Sequence, residues 1–291
     1  MPTYRTEPED EGRLLVQGPD RPGIVAAVST VLTDIGANIV ALDQHSSDPH
    51  EGQFFQRTVF YLPNLTARLP ELSERLHGQL AEELGLNWRI VESKRPKRVA
   101  LLASKSDHCL LELLWRQRRG ELSMVVPMVI SNHPDLATDV RQFGIPYFHV
   151  PISAETRPEV EAHELGLLKG NVDVVVLARY MQILSPSFLE QLGVPVINIH
   201  HSFLPAFIGA APYDRAKERG VKLVGATAHY VTQDLDQGPI IEQDVVRVSH
   251  EDSTADLRRL GADVERRVLA RAVEWHCEDR VMTFANTTVV L

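Results

Sequence analysis

"VINIHHSFLP", from Val196 to Pro205, ends an apolar, strand-like run with Asn198, His200 and His201 where turn residues would be expected. Nearly continuous apolar runs precede it: "RVALLAS", "MVVPMVIS", "YFHVPI" and "DVVVLAR". Strands that are apolar throughout, rather than alternately, are covered on both faces, as in parallel sheets. Helical segments from Leu110 to Arg118, Pro134 to Phe143 and Arg157 to Lys169 separate them and give right-handed crossovers. The pattern predicts a Rossmann-like, open, doubly wound α/β sheet, and such sheets bind ligands at the carboxyl ends of their strands. Asn198 and His200 fall at that edge.

Strand alternation places Asn198 and His200 on one side and, if the strand persists, His201 on the other. An amide N–H₂ and an imidazole that donates in either ionisation state suit a developing oxyanion on an attacked carbonyl. A metal is not expected: the adjacent histidines cannot both reach one ion from a regular strand, and neither HxH nor HExxH occurs among the twelve histidines. The carboxylate partner is sought in "ATAHYVTQDLDQGPII", between strands holding His229 and Ile240. Asp236 is the better candidate base, because Gly238 lets the loop turn tightly over the strand ends. Asp234 reads as a turn residue, and on these grounds alone Asp236 has both a structural and a catalytic reading.

The first strand-to-helix turn, Ser104 to Cys109, has no glycine. Asp107 is expected to cap the following helix and to compete with an anion there. That argues against a dinucleotide or a phosphorylated co-substrate, although Lys105 remains able to hold a carboxylate.

A net charge of −9, from 39 acids and 30 bases without a long run of one sign, disfavours general attraction to nucleic acid or an anionic membrane. No run approaches the about 18 apolar residues of a membrane span, and the polar, acidic start "MPTYRTEPEDEG" is unlike a signal peptide. A cytoplasmic protein is expected. Cys109 and Cys277 have no metal-binding companions and read as core residues.

The first ninety residues carry a different pattern: strands at Arg13 to Gly18, Asn38 to His45, Gln53 to Tyr61 and Leu86 to Glu92, with helices from Pro22 to Asp34 and Leu69 to Leu84. That order is βαββαβ, with Asp20 as the expected cap of the first helix, Pro22 in its first turn and Gly36 as its left-handed end. "ESKRPKR", from Glu92 to Arg98, reads as a solvated connection. The expected domains are 1–92 and 99–291, joined by a basic linker at 93–98.

"NIHHSFLPAFIGA" (Asn198 to Ala210) with "GATAHYVTQDLDQGPIIEQDV" (Gly225 to Val245) and "SKSDHCLLELL" resembles the formyltetrahydrofolate deformylases, hydrolases of the folate formyltransferase superfamily. Independently, "GPDRPGIVAAVSTVLTDIGANI" (Gly18 to Ile39) resembles an ACT domain, a ferredoxin-like regulatory module that commonly binds amino acids at paired interfaces. The resemblance implies hydrolysis of 10-formyltetrahydrofolate to formate and tetrahydrofolate, with formate supplied to purine synthesis and the one-carbon folate pool balanced. It makes Asn198, His200 and Asp236 the catalytic set, His229 a nearby supporting histidine, and Met181, Ile183 and Leu184 the lining of the pterin pocket; with Gly238 and Lys105, taken from the loop and turn above, these last four are the expected substrate-binding residues. No cofactor or metal is implied. Asp20, Gly23 and Asn38 are where an amino-acid effector would be held, and exposed sheet edges predict a homo-oligomer. Gln182 and Ala211 depart from the superfamily, which often has basic residues there that serve the folate tail. The rival readings are a formyl transferase to an amine, against which the glycine-free turn argues, and a non-catalytic, amino-acid-responsive regulator.

Overall fold

The computed structural model describes residues 9–48, 50–205 and 212–291. By contacts the chain divides into two compact units, one running to Pro96 and including Asp279–Phe284 and Val289–Leu291, the other formed by Lys97–Glu278 and Ala285–Thr288.

In the first unit, β1 (Glu11–Pro19), α1 (Ile24–Asp34), β2 (Asn38–Ser46), β3 (Gln53–Tyr61), α2 (Leu65–Leu76) and β4 (Asn87–Glu92) give the expected βαββαβ order, with a sheet ordered β2-β3-β1-β4. All its pairings are antiparallel. β1 and β3 are buried on both faces. Leu14, Val16, Phe54 and Phe60 pack under the helices, while Leu15 and Phe55 pack with Met282, Val289 and Leu291 from the C-terminus. Gly36, at φ +78°, terminates α1 as expected.

Three local expectations change. Asp20 does not cap α1: its carboxylate accepts from the Ser46 hydroxyl, and Gly23 is the N-cap, at φ 96° with no side-chain bond. Pro22 lies before the helix. α2 starts at Leu65, four residues ahead of the predicted Leu69, and carries Pro70 inside it. It continues as a π-helical stretch over His77–Glu82.

The second unit contains β5 (Lys97–Ala103), α3 (His108–Arg118), β6 (Met124–Val125), β7 (Val129–Ser131), α4 (Ala137–Gln142), β8 (Tyr147–His149) and α5 (Arg157–Leu168). It goes on through β9 (Val174–Leu177), α6 (Pro186–Leu192), β10 (Val196–His200), α7 (Pro212–Glu218), β11 (Leu223–Tyr230), β12 (Ile240–Arg247) and α8 (Thr254–Cys277). A last hairpin, β13 (Val281–Phe284), which groups with the first unit, and β14 (Thr287–Val290), closes the chain. The large sheet is ordered β12-β11-β10-β9-β5-β7-β8, with β6 paired to β5. It is parallel from β8 to β10 and antiparallel at β11 and β12. Val174 to Leu177 is buried throughout, as strands covered on both faces require. No helix among the described residues is long and apolar enough to cross a membrane.

Candidate active site

Asn198 and His200 lie two residues apart on β10 and both line one cavity of about 420 Å³, with His229 and Asp236. β10 supplies the first two by alternation. β11 supplies His229, which stands directly opposite Asn198 in the antiparallel register. Asp236 arrives by a less local route. β11 leaves the sheet beside Ile197 and Val196, yet Asp236 Oδ2 reaches His200 Nδ1 at 3.3 Å, so the loop after β11 folds back along β10.

Gly238 does not make that turn in the expected way. The left-handed residue is Asp236 itself, at φ 56°. Gly238 is needed because a Cβ there would come 1.8 Å from the Tyr230 carbonyl oxygen. It is absent from the residues lining the cavity, as are Asp234 and Lys105. Lys105 is exposed on the turn before α3. Asp107 occupies the N-cap of α3 but makes no side-chain cap bond.

The hydrogen bonds fix tautomers. The Tyr230 carbonyl lies 2.9 Å from His229 Nδ1 and can only accept, so Nδ1 carries the proton. Neutral His229 then offers a lone pair at Nε2 to the Asn198 amide, 3.2 Å away, leaving Asn198 a second N–H. His229 Nε2 also stands 3.7 Å from Asp236 Oδ1. His200 donates from Nδ1 to Asp236, so neutral His200 presents a lone pair at Nε2, an atom that is buried without a partner. His200 thus donates in either state from Nδ1, to Asp236, but from Nε2 only as imidazolium. The His200 bond, followed by the His229 contact, holds the Asp236 carboxyl well below the usual carboxylate range, against burial, which acts to raise it.

His201 also departs from expectation. Strand pairing stops at His200, so alternation no longer binds the next residue, and His201 lines the same cavity, with ring centroids 5.3 Å apart. Burial, then the Arg179 charge, lowers it to about 4 and keeps it neutral at pH 7.

Met181, Ile183 and Leu184 also line this cavity. Met181 and Ile183 are exposed to 58% and 61%, while Leu184 is buried. This segment is held from beneath: Met181 N–H donates to Ser104 Oγ at 3.0 Å and Arg157 donates to the Ile183 carbonyl at 2.5 Å. Glu161 accepts from Ser185 N–H at 3.0 Å. Arg157 also reaches Gln182 Oε1 at 3.5 Å, so a cation lies beside the position that departs from the superfamily. Ala211 lies outside the described residues.

Sequence reasoning missed Arg179 and Glu265. His108, Cys109 and Glu265 have ligand-type atoms within 4.8 Å of one another, but the cluster is internally satisfied. Glu265 accepts from His108 at 2.9 Å and from Tyr213 Oη at 2.6 Å. Burial, then the Glu265 charge, pushes the Cys109 thiol up and so keeps it protonated. Asp20 and Gly23 lie at the loop before α1, but Asn38 begins β2 while Asp20 bonds Ser46 at its end. Eight strand steps at roughly 3.3 Å each put about 26 Å between them, so the three predicted effector residues do not converge within one chain.

A βαββαβ module followed by a mixed sheet with Asn, His and Asp gathered at β10 defines a two-domain protein of the formyl transferase class. The formyl transferase family model matches residues 97–273, and the ACT domain model matches 12–77. The formyltetrahydrofolate deformylase of Mycobacterium tuberculosis (strain H37Rv) is 63% identical over 97% of this chain and 91% of the relative. The crystal structure of a formyltetrahydrofolate deformylase from Pseudomonas syringae pv. tomato is 48% identical and matches with a TM-score of 0.92 over 97% of this chain and 94% of that one. The glycinamide ribonucleotide transformylase 1 structure from Symbiobacterium toebii, 32% identical with a TM-score of 0.63, covers 67% of this chain and 94% of its own. The chain belongs to the formyltetrahydrofolate deformylase family.

Proposed function

We propose that Asn198, His200 and Asp236 carry out the family's reaction here, hydrolysis of 10-formyltetrahydrofolate to formate and tetrahydrofolate. The observation that carries this is the 3.3 Å contact of Asp236 Oδ2 with His200 Nδ1, which leaves Nε2, buried without a partner, as the free base of a residue that lines the cavity. His200 Nε2 takes a proton from the attacking water, and Asp236 stabilises the imidazolium that results. The imidazolium then donates to the oxyanion or to the leaving nitrogen, while the second Asn198 N–H also stabilises the oxyanion. Asp236 thus acts through His200, the route favoured by its engaged Oδ2. The folate ring lies against Met181, Ile183 and Leu184. Every proton transfer is served by this chain's own side chains, so no separate cofactor or metal is assigned.

The functional domains are 1–92, a regulatory ACT module, and 99–291, the catalytic part, of which Asp279–Phe284 and Val289–Leu291 group by contacts with the first unit. An amino acid at paired ACT modules is the effector, and β2, an edge strand with mostly exposed residues, is the surface for pairing with a second copy. A cytoplasmic setting, with the formate feeding purine synthesis, fits the two buried free cysteines.

Formate release by Asp236→Asn is expected to fall roughly 10²- to 10⁴-fold, and by Asn198→Ala roughly 10²- to 10³-fold, with folate affinity largely kept. Near-normal release by Asp236→Asn overturns the assignment.

A further inference from the structure

A second cavity, of about 410 Å³, adjoins the first and shares Arg179 and His201 with it. Ser106, His108, Tyr213 and Glu265 complete the part that matters. Arg179 is unusual in three respects. Its backbone sits at φ 64°, where a residue with a Cβ is strained by roughly 1–3 kcal/mol. Its side chain is only 15% exposed. Its Nε and Nη1 are buried with no hydrogen-bond partner, an arrangement that is costly for a charged donor.

Glu265 relieves only part of that cost. Its Oε2 stands 3.4 Å from Arg179 Nε and offsets the charge, but the contact leaves Nε and Nη1 without a hydrogen bond, while His108 and Tyr213 make the hydrogen bonds to its two oxygens. Arg258, the other guanidinium on this cavity, is paired with both oxygens of Asp214, at 2.9 and 3.1 Å. Among the described residues that line this cavity, Arg179 is thus the guanidinium with donors that lack a hydrogen-bond partner.

We propose that Arg179 and the second cavity receive the formate ion as it leaves the reaction centre, an assignment that rests on the hydrolytic reading above. Water's oxygen bonds to the formyl carbon, the bond from that carbon to the folate nitrogen breaks, and the nitrogen takes one proton. The acid formed loses the other and becomes formate. The new anion lies beside ionised Asp236, which repels it, and within the cavity that Arg179 also lines. The tetrahydrofolate left behind fills the first cavity, so the adjoining one is the free path. His201, neutral at the boundary, adds no competing charge.

The test is inhibition of turnover by added sodium formate, followed by tetrahydrofolate formation and compared with sodium chloride at equal ionic strength. In the wild type, formate is expected to inhibit non-competitively against 10-formyltetrahydrofolate, because both are held at once. Arg179→Gly suits the φ of 64° and is expected to raise the formate inhibition constant at least tenfold, whereas Arg179→Lys, which keeps the charge, stays within about threefold. Competitive inhibition in the wild type, no inhibition beyond the chloride control, or an unchanged constant in Arg179→Gly overturns the proposal. Formate released without added formate is measured in the same assay, so failure of the hydrolytic reading is seen separately.

Discussion

Asp236 shows how much a single residue's surroundings add to its identity. A carboxylate in a loop is usually a turn residue, and Asp234, two positions earlier, is one: its carbonyl accepts from Thr232 Oγ1 and from the Gln237 N–H. Asp236 differs because its loop folds back onto His200 and His229. Glu164 is the opposite case. Burial is the main cause that lifts its carboxyl to about 7 from an ordinary 4.5, opposed by the hydrogen bond from Tyr180. The folded state therefore binds more protons than the unfolded chain between those values, and stability falls as pH rises across that window. Glu164→Gln keeps an acceptor for Tyr180 and removes the titration. Its melting temperature relative to wild type is expected to climb from pH 4.5 to about 7 and then level off. A constant difference across that range, seen in thermal melts, counts against the assignment.

At the scale of elements, α8 links the chain's end to the cluster beside the site. It opens with a capping box between Ser253 and Asp256, worth roughly 1 kcal/mol, and buries Val264, Val268 and Val273. Gly261 interrupts this helix for a packing reason: a Cβ there would meet Tyr213 Oη at 1.9 Å. Helix propensity alone favours alanine over glycine by about 1 kcal/mol. The overlap with Tyr213, whose hydroxyl is tied to Glu265, outweighs that gain. Gly261→Ala is therefore expected to destabilise by about 1–3 kcal/mol, read by urea denaturation, and a stabilised variant would show that Tyr213 moves freely. α5 has a comparable role under the cavity wall, where Arg157, Glu161 and Glu164 hold Ile183, Ser185 and Tyr180. Its weak apolar periodicity hid that role, because these charged residues face a loop rather than solvent.

At the scale of the whole molecule, the edge strand β2 motivates association of copies through the ACT module. Sedimentation is expected to give a species larger than a 32.6 kDa monomer, and a monomer at working concentration removes the pairing idea. The βαββαβ order, the wound sheet and the shared side of Asn198 and His200 were legible because they follow from periodicity, which is local. The left-handed end of α1 at Gly36 was legible for the same reason. The true start of α2 was not, since Leu65 precedes a proline that usually marks a first turn. Nor was the place of His201, because alternation ends with the last paired residue. By itself the sequence determined the strands, the helices and the residue types available for acyl chemistry, all set by spacing along the chain. Only the tertiary structure decided that Asp236 folds back to His200, that Glu265 gathers His108, Tyr213 and Arg179 and that two Arg179 donors keep no hydrogen-bond partner. Those relations depend on contacts between segments tens of residues apart, which no local period encodes.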